Sequence, residues 1–235
     1  MDKKVLVLKV GGSIMYDQLL NINFDLFKRL KVWYYESVKE YSKVVLVTGG
    51  GGLSRSMQER IADNIGGEEY LHSIAMSLTQ TNATILASFL EDKEIFLPKT
   101  LGDAYEFLVA SEGRTMVSGG LKIGWSTDMD AAVFADILGA DRVYKISNID
   151  YVYDKDPKEF FDAKLFKDIS WEKYCKLFNI IPGQQHKPNR NMPLDVESVQ
   201  FCARKGLSFF ITGGNTLEEE DDINKILQEG TFIHP

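Results

Sequence analysis

Residues 47–57, VTGGGGLSRSM, set four consecutive glycines between an apolar run and a stretch of helical spacing, with Arg55 three residues beyond them. Each glycine forgoes about 1 kcal/mol relative to alanine where the chain is ordered, so something must approach this backbone too closely for side chains. A tight strand-to-helix turn points free N–H groups and the positive end of a helix dipole at one spot, which suits an anion. Arg55, in the first turn of the expected helix, would add a guanidinium. A plain turn and a solvated arginine are the alternatives. A second glycine turn, KVGGS (9–13), places Lys9 just ahead of Gly11, Gly12 and Ser13. Its ammonium would reach the space of the loop amides and neutralise a phosphate. A snorkelling edge lysine is the bland alternative, awkward in a strand otherwise made of Val and Leu.

Two further stretches could complete a ligand site. In SGGLKIGWSTDMDAAVFADILGA (118–140), a strand end leads through a glycine-containing loop into Ser126-Thr127-Asp128, which open a helix of small residues. Taken alone, Asp128 reads as an N-cap, while the loop over 121–127 is long enough to touch a ligand. In KISNIDYVYDKDP (145–157), a strand runs into Ser147 and then a turn-rich segment presenting Tyr153 and Asp156, with Pro157 stopping further pairing. That pair would suit an aromatic base and its polar edge, or belong to an ordinary hairpin. The chain has no GxxxxGK[ST], and its glycine row does not satisfy GxGxxG with an acidic partner, so neither a P-loop nor a Rossmann fingerprint is present.

These residues must be carried by elements, and apolar strand candidates recur at 5–10, 43–47, 94–97, 114–118, 142–147 and 207–212. Helical spacing falls between them, at 24–41, 53–65, 68–91, 128–139 and 195–206. Strand alternating with helix predicts an α/β fold with a mainly parallel sheet covered on both faces, whose ligands gather at the carboxyl ends of the strands. The polar stretch 181–193 reads as an exposed connection. With 235 residues, 44% apolar and 26% charged, the composition is that of an ordinary globular protein with room for a proper core. The net charge of −7 argues against a nucleic-acid-coating surface. Cys175 and Cys202 lack disulfide-framework or zinc spacing, and a reduced cytoplasm is expected. No export signal and no membrane span are expected either.

Taken in order, KVGGS, GGGGLSR, GWSTDMDAA, SNIDYVYDKDP and the closing GTFIHP (230–235) resemble the amino acid kinase family, most closely its UMP kinases of the archaeal type. The resemblance implies one α/β/α sandwich over 1–235, with an acceptor-binding half to about residue 140 and an ATP-binding half beyond. It implies a cytoplasmic enzyme of pyrimidine nucleotide biosynthesis that phosphorylates UMP with ATP and Mg2+, without nucleic acid or membrane partners, as a homohexamer. Lys9, Gly11, Gly12 and Ser13 match the loop around the phosphoryl group in transit. Gly50 matches a UMP contact, while Gly51 and Arg55 match positions at nucleotide phosphates. Leu121, Lys122, Ile123, Gly124, Trp125, Ser126 and Thr127 match the loop that closes over UMP, and Asp128 matches the acid that organises the catalytic lysine. Ser147, Tyr153 and Asp156 match positions around the adenine nucleotide. Several positions depart from the pattern: His72 stands where an aspartate grips the ribose hydroxyls, Tyr151 where a glycine is usual, and Ile123 where a proline is usual. These departures leave open another small phosphate or acid as acceptor, or a non-catalytic nucleotide- or oxyanion-binding protein. On this reading the four glycines exist so that phosphate oxygens can rest on backbone N–H groups.

Overall fold

The computed structural model describes residues 4–64, 66–181, 183, 192–214 and 227–235. The connection expected at 181–193 therefore lies largely outside the described residues. Strands β1 (Val5–Val10), β2 (Lys43–Thr48), β3 (Thr115–Ser118), β4 (Arg142–Ser147), β8 (Ser208–Gly213), β9 (Thr231–His234) and β7 (Asp168–Ser170) form one sheet in the order β3-β2-β1-β4-β8-β9-β7. All its neighbours run parallel except β8 and β9. Strands β5 (Val152–Tyr153) and β6 (Leu165–Phe166) make a small antiparallel pair.

Side-chain alternation along the strands sends residues to two separate cores. Val7, Val45 and Val47 face α4 (Leu101–Ala110), α5 (Thr127–Leu138) and α7 (Val196–Lys205) in one apolar cluster. Leu6, Leu8, Val10 and Leu46 face α1 (Phe24–Ser37) and α3 (Glu68–Leu90) in the other. The result is the expected three-layer α/β/α sandwich. Ala131, Ala132 and Ala135 are fully buried and bring α5 against the sheet. The remaining helices are α2 (Gly51–Ile61) and α6 (Trp171–Leu177). Among the described residues no helix is long and apolar enough to cross a membrane.

One expectation needs correction. The strand predicted at 94–97 reduces to a bridge, in which Phe96 exchanges backbone bonds with Thr115 and Val117 before Pro98 ends the pairing. On α1, Trp33 and Tyr34 are buried in the core and Tyr35 is exposed. Helix α4, capped by reciprocal Thr100 and Asp103 bonds, went unpredicted although TLGD carries a capping signature.

The glycine row also has a packing role that the sequence did not show. A Cβ at Gly12 would lie 2.3 Å from Gly51 N, and one at Gly51, whose φ is +61°, would lie 2.1 Å from Gly12 O. A Cβ at Gly49 would lie 2.9 Å from Gly12 N. What comes close to Gly49 and Gly51 is the other glycine turn, backbone on backbone, while Gly50 faces the Ser54 side chain and Gly52 that of Leu20. Gly12→Ala should therefore cost about 1–3 kcal/mol of folding stability by forcing the turns apart, whereas Gly66→Ala, with nothing within 4 Å of its Cβ, should leave the denaturation midpoint unchanged; equal midpoints for both variants in chemical denaturation would contradict this packing.

Candidate active site

The parallel strands β1, β2, β3 and β4 end along one edge of the sheet, and the chain leaves each through a loop at that edge. Gly49 N donates to Val10 O at 3.0 Å and Gly11 N to Ile146 O at 2.8 Å, so the first glycine turn is stitched to both neighbouring strands. Helix α3 braces the edge from behind: Asn82 Nδ2 donates to Gly49 O at 2.7 Å, Thr48 Oγ1 donates to Thr79 O at 2.9 Å, and Gly120 N donates to Thr79 Oγ1 at 2.7 Å. Asn82 is fully buried and also accepts from the Tyr16 hydroxyl at 2.5 Å.

Above this edge lies a cleft of about 540 Å³. Lys9, Gly11, Gly12, Ser13, Gly50, Gly51, Arg55 and His72 line it from the first part of the chain, with Lys122, Gly124, Trp125, Ser126 and Thr127 from the 121–127 loop. Ser147, Tyr151, Tyr153 and Asp156 line it from the second part. Most of the residues singled out in sequence thus meet in one place. The exceptions are Leu121, which is buried in the core, Ile123, which is about half exposed, and Asp128, which lies beneath the cleft floor. Because α2 starts at Gly51, Arg55 falls in its second turn rather than its first. Asp156 accepts from Lys158 N at 2.9 Å and so also shapes its own turn.

Asp128 is not the N-cap of α5. Ser126 takes that role by accepting from Met129 N, and it donates to Asp195 Oδ2 at 2.5 Å. Asp128 sits in the first helical turn and faces the sheet, with Oδ1 3.3 Å from Lys9 Nζ and Oδ2 2.5 Å from Lys145 Nζ. Lys145 was missed in the sequence. It is the register partner of Lys9 across β1 and β4, so strand alternation sends both ammoniums to the α5 face. The signal was available, since RVYKIS holds a lysine as awkwardly as VLVLKV does. Lys145 also donates to Pro193 O at 2.6 Å.

All three side chains are at most 10% exposed. Burial pushes the Lys9 ammonium down to about 8, against the pull of Asp128 and with the push of Lys145. Burial opposes the charge on Asp128 as well, yet Lys145 and Lys9 together hold its carboxyl below the usual range. With both lysines charged, the cluster carries one positive charge more than its carboxylate cancels. In a buried setting that excess calls for an anion. No side chain caps α2, so its first amides and the glycine turns offer further donors beside the excess charge.

A mainly parallel α/β sandwich with two glycine turns and a buried ammonium pair only half compensated by its carboxylate at the strand ends defines a phosphate-handling protein. Residues 4–213 match the family model for the amino acid kinase family, and the chain belongs to that family. It is 30% identical over 235 residues to the uridylate kinase of Staphylothermus marinus, spanning 98% of both chains. Among solved structures it is similar to the uridylate kinase from Archaeoglobus fulgidus, with a TM-score of 0.75 at 25% identity over 98% of this chain and 99% of that one. The UMP kinase from Ureaplasma parvum shares the fold, with a TM-score of 0.77 at 18% identity over the whole of both chains.

The triad makes a prediction about stability. Asp128→Ala leaves two ammoniums buried side by side and should lose about 3–5 kcal/mol. Lys145→Met leaves a neutral Lys9–Asp128 pair and should lose about half that or less. Urea denaturation of the two variants checks this, and a Lys145→Met protein less stable than Asp128→Ala would contradict the charge assignment.

Proposed function

We propose that the protein transfers the γ-phosphoryl group of ATP to UMP, yielding ADP and UDP. The observation that carries this reading is the single unbalanced positive charge of the Lys9–Asp128–Lys145 cluster, buried where the two glycine turns meet. The nearly full-length likeness to proteins named uridylate kinases gives the nucleotide its identity.

In the reaction, an oxygen of the UMP phosphate forms a bond to the γ-phosphorus as the bond to the β,γ-bridging oxygen breaks, and the electron pair leaves with ADP. The acceptor phosphate is a dianion above its second pKa of about 6, so no strong general base is needed and the protein's work is positioning and charge cancellation. Lys9 and Lys145 would meet the charge that builds on the equatorial oxygens. Asp128 keeps the two ammoniums at a fixed separation. Arg55 and the amides of Gly12 and Gly51 would hold phosphate oxygens, while Gly11, whose amide is taken by Ile146 O, would line the path of the phosphoryl group. Residues up to about 140 would form the acceptor half, with Gly50, His72 and the 121–127 loop around UMP. Residues beyond would form the donor half, with Ser147, Tyr153 and Asp156 around the adenine nucleotide. His72 can accept one hydroxyl hydrogen bond from the ribose through a ring nitrogen.

Among the described residues no cluster of three or more His, Cys, Asp or Glu could hold a metal, and two lysines already occupy Asp128. Mg2+ therefore fits this site as an ion carried on nucleotide phosphate oxygens and water. When bound there it would supply charge neutralisation to the nucleotide phosphates. A cytoplasmic homohexamer serving pyrimidine nucleotide synthesis completes the proposal, on family resemblance.

An ADP-release assay with ATP and Mg2+, comparing UMP, CMP, AMP and no acceptor, should show turnover with strong preference for UMP. ATP binding without turnover of any acceptor, or preference for another nucleotide, would overturn the assignment.

A further inference from the structure

Apart from Asp128, Asp130 is the only buried carboxylate among the described residues, and the chemistry above does not use it. It lies in the first turn of α5 and is fully enclosed. Its Oδ1 accepts from Leu121 N at 3.4 Å, while Oδ2 has no hydrogen-bond partner. Oδ2 faces the α-carbon of Gly120, lying 3.6 Å from where a Cβ would stand.

The position of this orphaned oxygen matters because Gly119, Gly120 and Leu121 are the root of the 121–127 loop. On the α3 side the root is held firmly: Gly120 N donates to Thr79 Oγ1, Gln80 Nε2 donates to Gly120 O at 3.1 Å, and a Cβ at Gly119 would lie 2.4 Å from Gln80 N. On the α5 side Asp130 Oδ1 accepts the hydrogen bond that Leu121 N donates. Beyond the root the chain turns back, with Gly124 at φ +85° and Trp125 N donating to Lys122 O at 3.1 Å. Lys122 Nζ rests 4.2 Å from the centre of the Trp125 ring. The charged groups facing Asp130 are Lys122 from the loop and Asp195 from the start of α7, while α3 presents Thr79 and Met76, which do not ionise.

Resting on the reading of 121–127 as the cover of the acceptor, we propose that Asp130 is a positioning residue, which pins the loop root over the cleft while its carboxyl is neutral and releases it on ionisation. Burial, the largest influence, pushes the carboxyl up to about 7, with Asp195 adding to the rise and the Leu121 amide and Lys122 opposing it. Opening the root would hydrate the group and return it to the ordinary range near 3.9. The pinned state is thus fully favoured below about pH 4, loses its advantage as pH rises to about 7, and changes no further above that.

The test compares wild type with Asp130→Asn, which stays neutral and keeps an acceptor for Leu121, and with Asp130→Ala, which keeps neither property. In the ADP-release assay between pH 5.5 and 8, the wild-type KM for UMP should rise and level off near pH 7, while kcat does not follow it. Asp130→Asn should lack that rise, with a KM at pH 8 about fivefold or more below wild type, and Asp130→Ala should have a raised KM at every pH. The acceptor phosphate ionises identically in every assay, so it cancels in the comparison. Trp125 fluorescence without nucleotide gives a second readout, because Trp33 and Trp171 are buried. A transition complete by about pH 7 in wild type that disappears in Asp130→Asn supports the proposal even if UMP is not turned over, in which case the nucleotide assignment alone has failed. Superimposable pH profiles of the two proteins overturn the proposal. If Asp130→Asn does not fold, wild type is compared with Asp130→Ala: a flat wild-type trace, or one that Asp130→Ala reproduces, overturns the proposal, and a wild-type transition complete by about pH 7 that Asp130→Ala lacks sustains it.

Discussion

Two buried lysines share one aspartate, and much of the structure around the cleft serves to keep them there. The β1–β4 register sets Lys9 beside Lys145, an arrangement of like charges that a sheet ordinarily avoids. Asp128 makes it tolerable because α5 lies close enough to the sheet for a first-turn carboxylate to reach both ammoniums. That closeness depends on the alanines of α5, which present nothing larger than a methyl group to the strands. One charge remains uncancelled, and a phosphoryl group in transit is the ligand that would cancel it. The same unfavourable electrostatics that burden the empty fold therefore become useful when nucleotides bind.

The glycine turns belong to the same design. Their backbones touch, so the loops after β1 and β2 act as one rigid floor rather than as two independent phosphate cradles. Helix α3 ties that floor to the rest of the edge through Asn82 and Thr79, and it grips the root of the 121–127 loop through Thr79 and Gln80. One helix thus sets the spacing between the glycine floor and the loop that would cover it. Backbone amides held this way are already oriented before a ligand arrives, which is the condition for effective charge stabilisation.

Much of this was legible in sequence, and the gaps have physical causes. The bounds of β1 and β4 could be read to the residue because their apolar runs end abruptly at polar or glycine positions. Helix α3 was equally plain from its length. Lys9 stood out because a glycine turn follows it, whereas Lys145 has no such marker and was passed over despite the same apolar setting. The packing of Gly49 and Gly51 against Gly12 was not legible because Gly12 is remote in sequence, and backbone contact between distant turns leaves no local trace. Asp128 looked like a cap because Ser-Thr-Asp offers three capping residues in succession, and only the fold reveals that Ser126 fills the role. Leu121 and Ile123 followed the loop in sequence but not in space, since one side chain drops into the core and the other turns toward solvent.

The central claim is that the surplus charge of the lysine pair acts on the phosphoryl group in transit. The most direct measurement is the single-turnover rate of phosphoryl transfer from ATP to UMP in Lys145→Met, taken alongside the affinity of each nucleotide. The account predicts a rate lowered by about 100-fold or more, with each nucleotide bound within about threefold of wild type. A folded variant transferring phosphate at the wild-type rate would contradict it.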